Sequence, residues 1–198
     1  MPGSFGADVV DDGQDVRLCS LEAVHVASAA PKRQRDFTLG RFCAHRALAQ
    51  MGRDAAAIPV GDAGAPVWPA GIVGSITHTS GYAAAMVASR DVVQSIGIDA
   101  ERIGGVTEAL MPRLFAPAER EWLMAQDAQA RPTALTVFFS AKEAFFKAFA
   151  SRMANRLSFR DIHVEMRDGG FVARHEDRIA QGRVAVRGDL VVTGVAAP

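Results

Sequence analysis

The chain has 198 residues, 49% of them hydrophobic and 22% charged, which suits one large domain or two small packed lobes with a real core. Lys plus Arg and Asp plus Glu both number 22, a formal net charge of zero. No overall field therefore draws the protein to nucleic acid or to an anionic membrane, and any anion recognition has to be local.

Residues 1–15 are rich in Gly and Asp and lack a basic start followed by an apolar run. They read as a flexible N-terminus, not as a signal peptide. No apolar stretch approaches the roughly 20 residues that a membrane helix needs, so no membrane association is expected and the cytoplasm is the default compartment. Cys19 and Cys43 are the only cysteines and stand in no CxxC spacing. They read as reduced packing thiols.

Val16-Arg17-Leu18 reads as the start of the first strand. After Pro31, residues 32–51 repeat Phe37, Phe42 or Cys43, Ala44, Ala47 and Leu48 at helical spacing, with Pro31 suited to the first turn and Gly52 to the end. This helix is basic, with Lys32, Arg33, Arg35, Arg41, His45 and Arg46. Cations at a helix N-terminus oppose its dipole. The helix is thus either a solvated basic face or a site for a phosphorylated ligand, because guanidinium groups grip phosphate in a bidentate fashion.

Residues 61–66 form a turn-rich connection, and residues 72–77, 82–89 and 92–99 read as three strands in an antiparallel meander. Between the first two lies Gly74-Ser75-Ile76-Thr77-His78-Thr79-Ser80-Gly81, hydroxyls around a histidine. That is an anion contact or an ordinary hydrogen-bonding turn. The third strand ends in Ile96-Gly97-Ile98-Asp99-Ala100-Glu101. Positions i and i+2 of a strand share a face, about 6.6 Å apart. Asp99 and Glu101 could hold one hard divalent cation between them, or simply face solvent. Gly97 leaves room on the face of Asp99, for a ligand or for a neighbouring backbone.

Residues 117–126 read as a short helix with Trp122 and Leu123 buried, and residues 133–150 as a longer one. In the longer helix Ala134, Phe138, Ala141, Phe145 and Phe149 make an apolar core stripe. Glu143 and Lys147 lie nearly opposite, neighbours at i,i+4 and by themselves an exposed ion pair. Phe139 and Phe146 flank the same face, which suggests that something covers it. Four strand-like segments follow at 162–166, 171–174, 184–187 and 190–195, with Gly169-Gly170 and Gly188-Asp189 as turns. The order describes two α+β lobes, 16–101 and 102–198, meeting near Glu101. A carboxylate pair, a third carboxylate and a lysine are what metal-assisted phosphate chemistry requires.

Taken in chain order, these segments resemble the 4′-phosphopantetheinyl transferase family, in its longer, Sfp-type branch that includes enterobactin synthase component D. Gly64-Ala65-Pro66-Val67-Trp68-Pro69 with Gly74-Ser75-Ile76-Thr77-His78 is similar to the first signature. Gly97-Ile98-Asp99-Ala100-Glu101 resembles the G-x-D-x-E signature, and Phe139-Ser140-Ala141-Lys142-Glu143 on to Lys147 the W-x-x-K-E-x-x-x-K signature.

The resemblance implies an α+β fold of two pseudo-twofold-related lobes with the active site in the cleft between them. It implies transfer of the 4′-phosphopantetheine arm of coenzyme A to a serine of an apo acyl or peptidyl carrier protein, with release of adenosine 3′,5′-bisphosphate. Carried over, Asp99, Glu101 and Glu143 ligate Mg²⁺, and Glu143 is the general base. Lys147 stabilises the pyrophosphate, Arg33, Arg41 and His78 grip the 3′-phosphate, Thr77 contacts the nucleotide, and Lys142 belongs to the coenzyme A site. Siderophore, nonribosomal peptide or polyketide biosynthesis is the expected setting, and two lobes in one chain make a monomer sufficient. Phe139 replaces the signature Trp, and Val60 and Ala63 stand where relatives often carry a basic residue. The competing readings are a metal-dependent phosphoesterase on the same acidic cluster and a nucleic-acid-binding module on helix 32–46.

Overall fold

The computed structural model describes residues 3–53, 56–61, 64–149 and 158–197, so Ala63 lies outside the described residues. The chain forms two compact units, Met1–Ile96 and Gly97–Ala197. The division thus falls just before Gly97, where the sequence reading set it after Glu101.

The first unit packs α2 (Pro31–Gln50) on a three-stranded antiparallel sheet of β1 (Ser4–Val10), β2 (Ile72–Thr79) and β3 (Tyr82–Ser89), in the order β1-β3-β2. Three expectations are corrected here. The N-terminus is not a frayed tail but a strand, pairing Ser4 with Ala88 through Val10 with Tyr82. Its apolar alternation is weak, with only Ala7 buried, and main-chain pairing holds it. Beyond it, Arg35 forks onto Asp11 and donates to the Gln14 carbonyl at 2.9 Å. The Arg35 bonds, with the Gly13 amide, pull the Asp11 carboxyl down to about 2. Residues 16–18 are not a strand. Nor does β4 (Ser95–Arg102) complete a meander: it lies beside β8 (Leu190–Ala197) in another sheet.

The buried stripe of α2 includes Leu39, Cys43, Ala44, Ala47 and Leu48, which meet Ile72, Ala83, Ala85 and Val87 of the sheet. Cys43 is a packing thiol, pushed up to about 12 by burial, and Cys19 is free and exposed. A short helix, α1 (Ser20–Ala23), contributes the buried Glu22. Its carboxylate bonds His45 Nε2 at 2.8 Å and accepts the Ile58 amide at 2.9 Å.

The second unit holds α3 (Met111–Leu114), α4 (Pro117–Met124) and α5 (Arg131–Phe149), with β5 (His163–Arg167), β6 (Gly170–His175), β7 (Arg178–Arg187) and β8. Its sheet runs β4-β8-β7-β6-β5, and β5 to β8 pair antiparallel in sequence. The α5 helix lies on this sheet over a core of Phe115, Leu123, Phe138, Phe145, Ile162 and Val195. Trp122 is 43% exposed, stacked on Phe138 with centroids 5.0 Å apart, so of the expected pair only Leu123 is buried. The β5–β6 turn is Asp168-Gly169, one residue earlier than expected, because Arg167 pairs with Gly170 and Gly169 takes the left-handed conformation.

Candidate active site

Gly97 decides where the acidic strand sits. A Cβ there would lie 1.8 Å from the Ala144 carbonyl oxygen and 2.7 Å from the Ala148 nitrogen, both on α5. The space that Gly97 opens is filled by the backbone of α5, not by a ligand. A strand that close to a helix brings the residues after Gly97 beside those after Lys142.

The result joins residues far apart in the chain. Lys147 Nζ donates to Asp99 Oδ1 at 2.7 Å, and the Asp99 side chain is only 5% exposed. Lys147 therefore reaches across to β4 as well as acting on Glu143, its i,i+4 neighbour along the helix. Glu101 is pushed up to about 7, first by burial and then by the negative charges of Asp99 and Glu143, with Lys147 acting against them. Glu143 is raised by burial and by Asp99, and again lowered by Lys147. The three carboxylates and the lysine thus share one electrostatic neighbourhood, built wholly from β4 and α5.

All the donors there are carboxylate oxygens, the hard ligands that Mg²⁺ prefers, and that ion characteristically takes one or two carboxylates and completes its shell with water and substrate phosphate. Mutual repulsion also raises Glu101 and Glu143, which a cation would relieve. The donor set fits the ion. Among the described residues no group of three or more His, Cys, Asp or Glu is already arranged to hold a metal.

A cavity of about 600 Å³ opens at Glu101, walled by Val106, Leu110, Leu114, Phe139 and Phe159, with Arg113 also lining it. Residues 102–116 and Phe159 carried no signal in the sequence reading, so this wall was missed apart from Phe139. Phe139 keeps the apolar surface expected of the signature aromatic.

Lys142 requires a correction. Its ammonium is wholly buried, and its three donors go to the Leu114 carbonyl at 2.9 Å, Glu119 Oε2 at 2.5 Å and the Phe159 carbonyl at 2.9 Å. With each N–H committed, it has none to offer coenzyme A. Glu119, its counter-charge, also accepts the amides of Ala116 and Val164 at 2.8 Å each. The signal for Glu119 was its place three residues after Ala116 and just inside Pro117, a helix-capping position.

In the first unit, Arg33 and His78 come together, with Nη1 3.3 Å from His78 Nε2, and both are exposed. Thr77 is 2% exposed. Arg41 also requires a correction: it is buried against the Phe37 ring, and its Nε and Nη2 bond the carbonyls of Ile58 and Pro59 at 2.7 and 3.4 Å. It anchors a loop where a phosphate grip was expected. The helix as a whole is no open basic face, since Lys32 pairs with Asp36, Arg35 with Asp11 and His45 with Glu22.

Two regions of the chain match family models: residues 21–88 the 4′-phosphopantetheinyl transferase N-terminal domain, and residues 95–193 the 4′-phosphopantetheinyl transferase superfamily. The chain belongs to the 4′-phosphopantetheinyl transferase superfamily. It is 40% identical over 169 residues to 4′-phosphopantetheinyl transferase Npt of Nocardia iowensis, covering 84% of this chain and 75% of that protein. It is 36% identical over 208 residues to 4′-phosphopantetheinyl transferase PptT of Mycobacterium tuberculosis, covering 96% and 90%. Enterobactin synthase component D of Salmonella typhi is 34% identical over 181 residues, covering 86% and 74%. A solved holo-(acyl-carrier-protein) synthase from Bacillus anthracis in complex with CoA (3′,5′-ADP) matches with TM-score 0.45 and 23% identity, over 52% of this chain and 96% of that one. The expectations for family, α+β fold and enzyme class are borne out: the protein is a transferase of the phosphopantetheinyl kind.

Proposed function

We propose that this protein transfers the 4′-phosphopantetheine arm of coenzyme A to a serine of an apo acyl or peptidyl carrier protein, using Mg²⁺. The observation that carries the reading is the β4–α5 cluster, three carboxylates and a lysine brought together by Gly97. The serine oxygen attacks the phosphorus that bears the pantetheine arm. The bond to the bridging pyrophosphate oxygen breaks, and adenosine 3′,5′-bisphosphate leaves with the electron pair.

Glu143 takes the serine proton. With no cation bound, burial and Asp99 raise its proton affinity, a rise that a cation offsets, so the position of Glu143 beside the serine carries most of its effect as a base. Asp99 and Glu101, with Glu143, would hold Mg²⁺, which supplies charge neutralisation for the pyrophosphate. Lys147 stabilises the same phosphate oxygens. Arg33 and His78 take the 3′-phosphate. The cavity beside Glu101 offers the reacting arm an apolar wall of Val106, Leu110, Leu114, Phe139 and Phe159.

No helix is long and apolar enough to cross a membrane among the described residues. We propose further that it works as a cytoplasmic monomer in siderophore, nonribosomal peptide or polyketide synthesis; the likeness to enterobactin synthase component D supports the siderophore setting. The test is incubation with coenzyme A, Mg²⁺ and a panel of apo carrier proteins, followed by intact mass. A gain of one arm on a carrier supports the reading and identifies the carrier class. Release of the arm into solution without carrier labelling would make the protein a hydrolase and end it.

A further inference from the structure

We infer that Lys147 is the resting occupant of the cation site, holding Asp99 until a divalent cation enters and then releasing it toward the phosphates. The inference rests on the metal-assisted reading proposed above and adds an order of events to it.

At 5% exposure the Asp99 side chain has little access to water, and a buried carboxylate without a positive partner is costly. Lys147 supplies that positive charge, at 2.7 Å. The two partners differ in freedom. Asp99 sits on a short side chain in a buried stretch of β4, while Lys147 is 28% exposed at the end of a four-carbon stem. The lysine is the partner that can move. Its charge also acts on Glu101 and Glu143, so it occupies the electrostatic position of a shared cation. A divalent ion entering among these oxygens would compete with the ammonium for Asp99, and a displaced ammonium stays beside the ligand phosphates. Cation loading and delivery of the lysine to the pyrophosphate then become one exchange. A purely structural ion pair would instead stay closed when the cation binds.

The experiment follows the Lys147 ammonium by ¹H–¹⁵N NMR in lysine-labelled protein, assigned by its loss in Lys147→Arg, without cation and with saturating Mg²⁺, in the absence and presence of coenzyme A. In parallel, Mn²⁺ binding to wild type and Lys147→Met is measured from the free-ion electron spin resonance signal. The expected result is a hydrogen-bonded ammonium signal in cation-free protein that is lost when Mg²⁺ binds. Lys147→Met should bind Mn²⁺ about tenfold more tightly, the scale of one hydrogen bond to a charged group. An ammonium signal missing without cation, one unchanged with the site filled, or equal Mn²⁺ affinity in both proteins overturns the inference while leaving the metal reading intact. No Mn²⁺ binding by either protein, with or without coenzyme A, overturns the metal reading itself and the inference with it.

Discussion

Glu101 and Glu143 carry opposite consequences for stability and for catalysis. With no cation bound, Glu101 is raised from 4.5 to about 7. Below about pH 4.5 it is protonated in folded and unfolded chains alike and contributes nothing. Between 4.5 and 7 the unfolded chain loses the proton while the folded one keeps it, so stability falls as pH rises through that window and levels off above it. The expected outcome is that Glu101→Gln, compared with wild type in a chelating buffer, gains thermal stability between pH 5 and pH 8, with Mg²⁺ narrowing the difference. Glu143→Gln should cut transfer at least about 10²-fold, the usual scale for a general base. It should not lower the melting temperature, because burial and Asp99 already disfavour the Glu143 charge. A rate near wild type would remove Glu143 from the proposed base role.

At the scale of elements, the contact of β4 with α5 is what makes a site. Gly97→Ala places a methyl group 1.8 Å from the Ala144 oxygen, so strand and helix must separate. Urea unfolding should show a loss of about 3 kcal/mol or more, the upper range for overpacking a tight contact. Transfer activity should fall with it, because Asp99 and Glu101 move with the strand. Lys142 ties α5 to the end of α3, to the start of α4 through Glu119 and to the segment at Phe159. Lys142→Met leaves Glu119 a buried, uncompensated charge, and the expected cost is about 3–5 kcal/mol. Lys142→Met with Glu119→Gln should recover part of that stability. If the double variant is no better than the single, the pair is not the source of the loss.

For the whole molecule, a net charge of zero means that phosphate must be recognised by a few local cations. Along α2, Lys32, Arg35 and His45 are spent on acids and Arg41 on carbonyls, whereas Arg33 is exposed and meets the exposed His78 of β2, which also lies 3.8 Å from Asp36. Arg33→Ala should raise the coenzyme A KM about tenfold with little change in kcat, as expected for loss of one charged contact made equally in ground and transition states. Arg41→Ala should instead lower the melting temperature and leave KM to follow stability. Steady-state kinetics beside a thermal melt separates the two roles.

The long helices, the hairpin strands and the acidic and lysine-glutamate motifs were legible in the residues, because periodicity, turn chemistry and spacing are local properties of a chain. So was the grouping of carboxylates with a lysine, which the structure brings together. Strand β1 was not, because its pairing is a main-chain affair that side-chain pattern barely records. The sheet to which β4 belongs was not either, since a strand's neighbours depend on what else packs beside it. Lys142 and Lys147 occupy similar positions on paper, yet one is sealed among carbonyls and Glu119 while the other reaches Asp99. Nothing local separates them: burial and partner are set by which elements meet in space, and those contacts arise only when the folded chain closes.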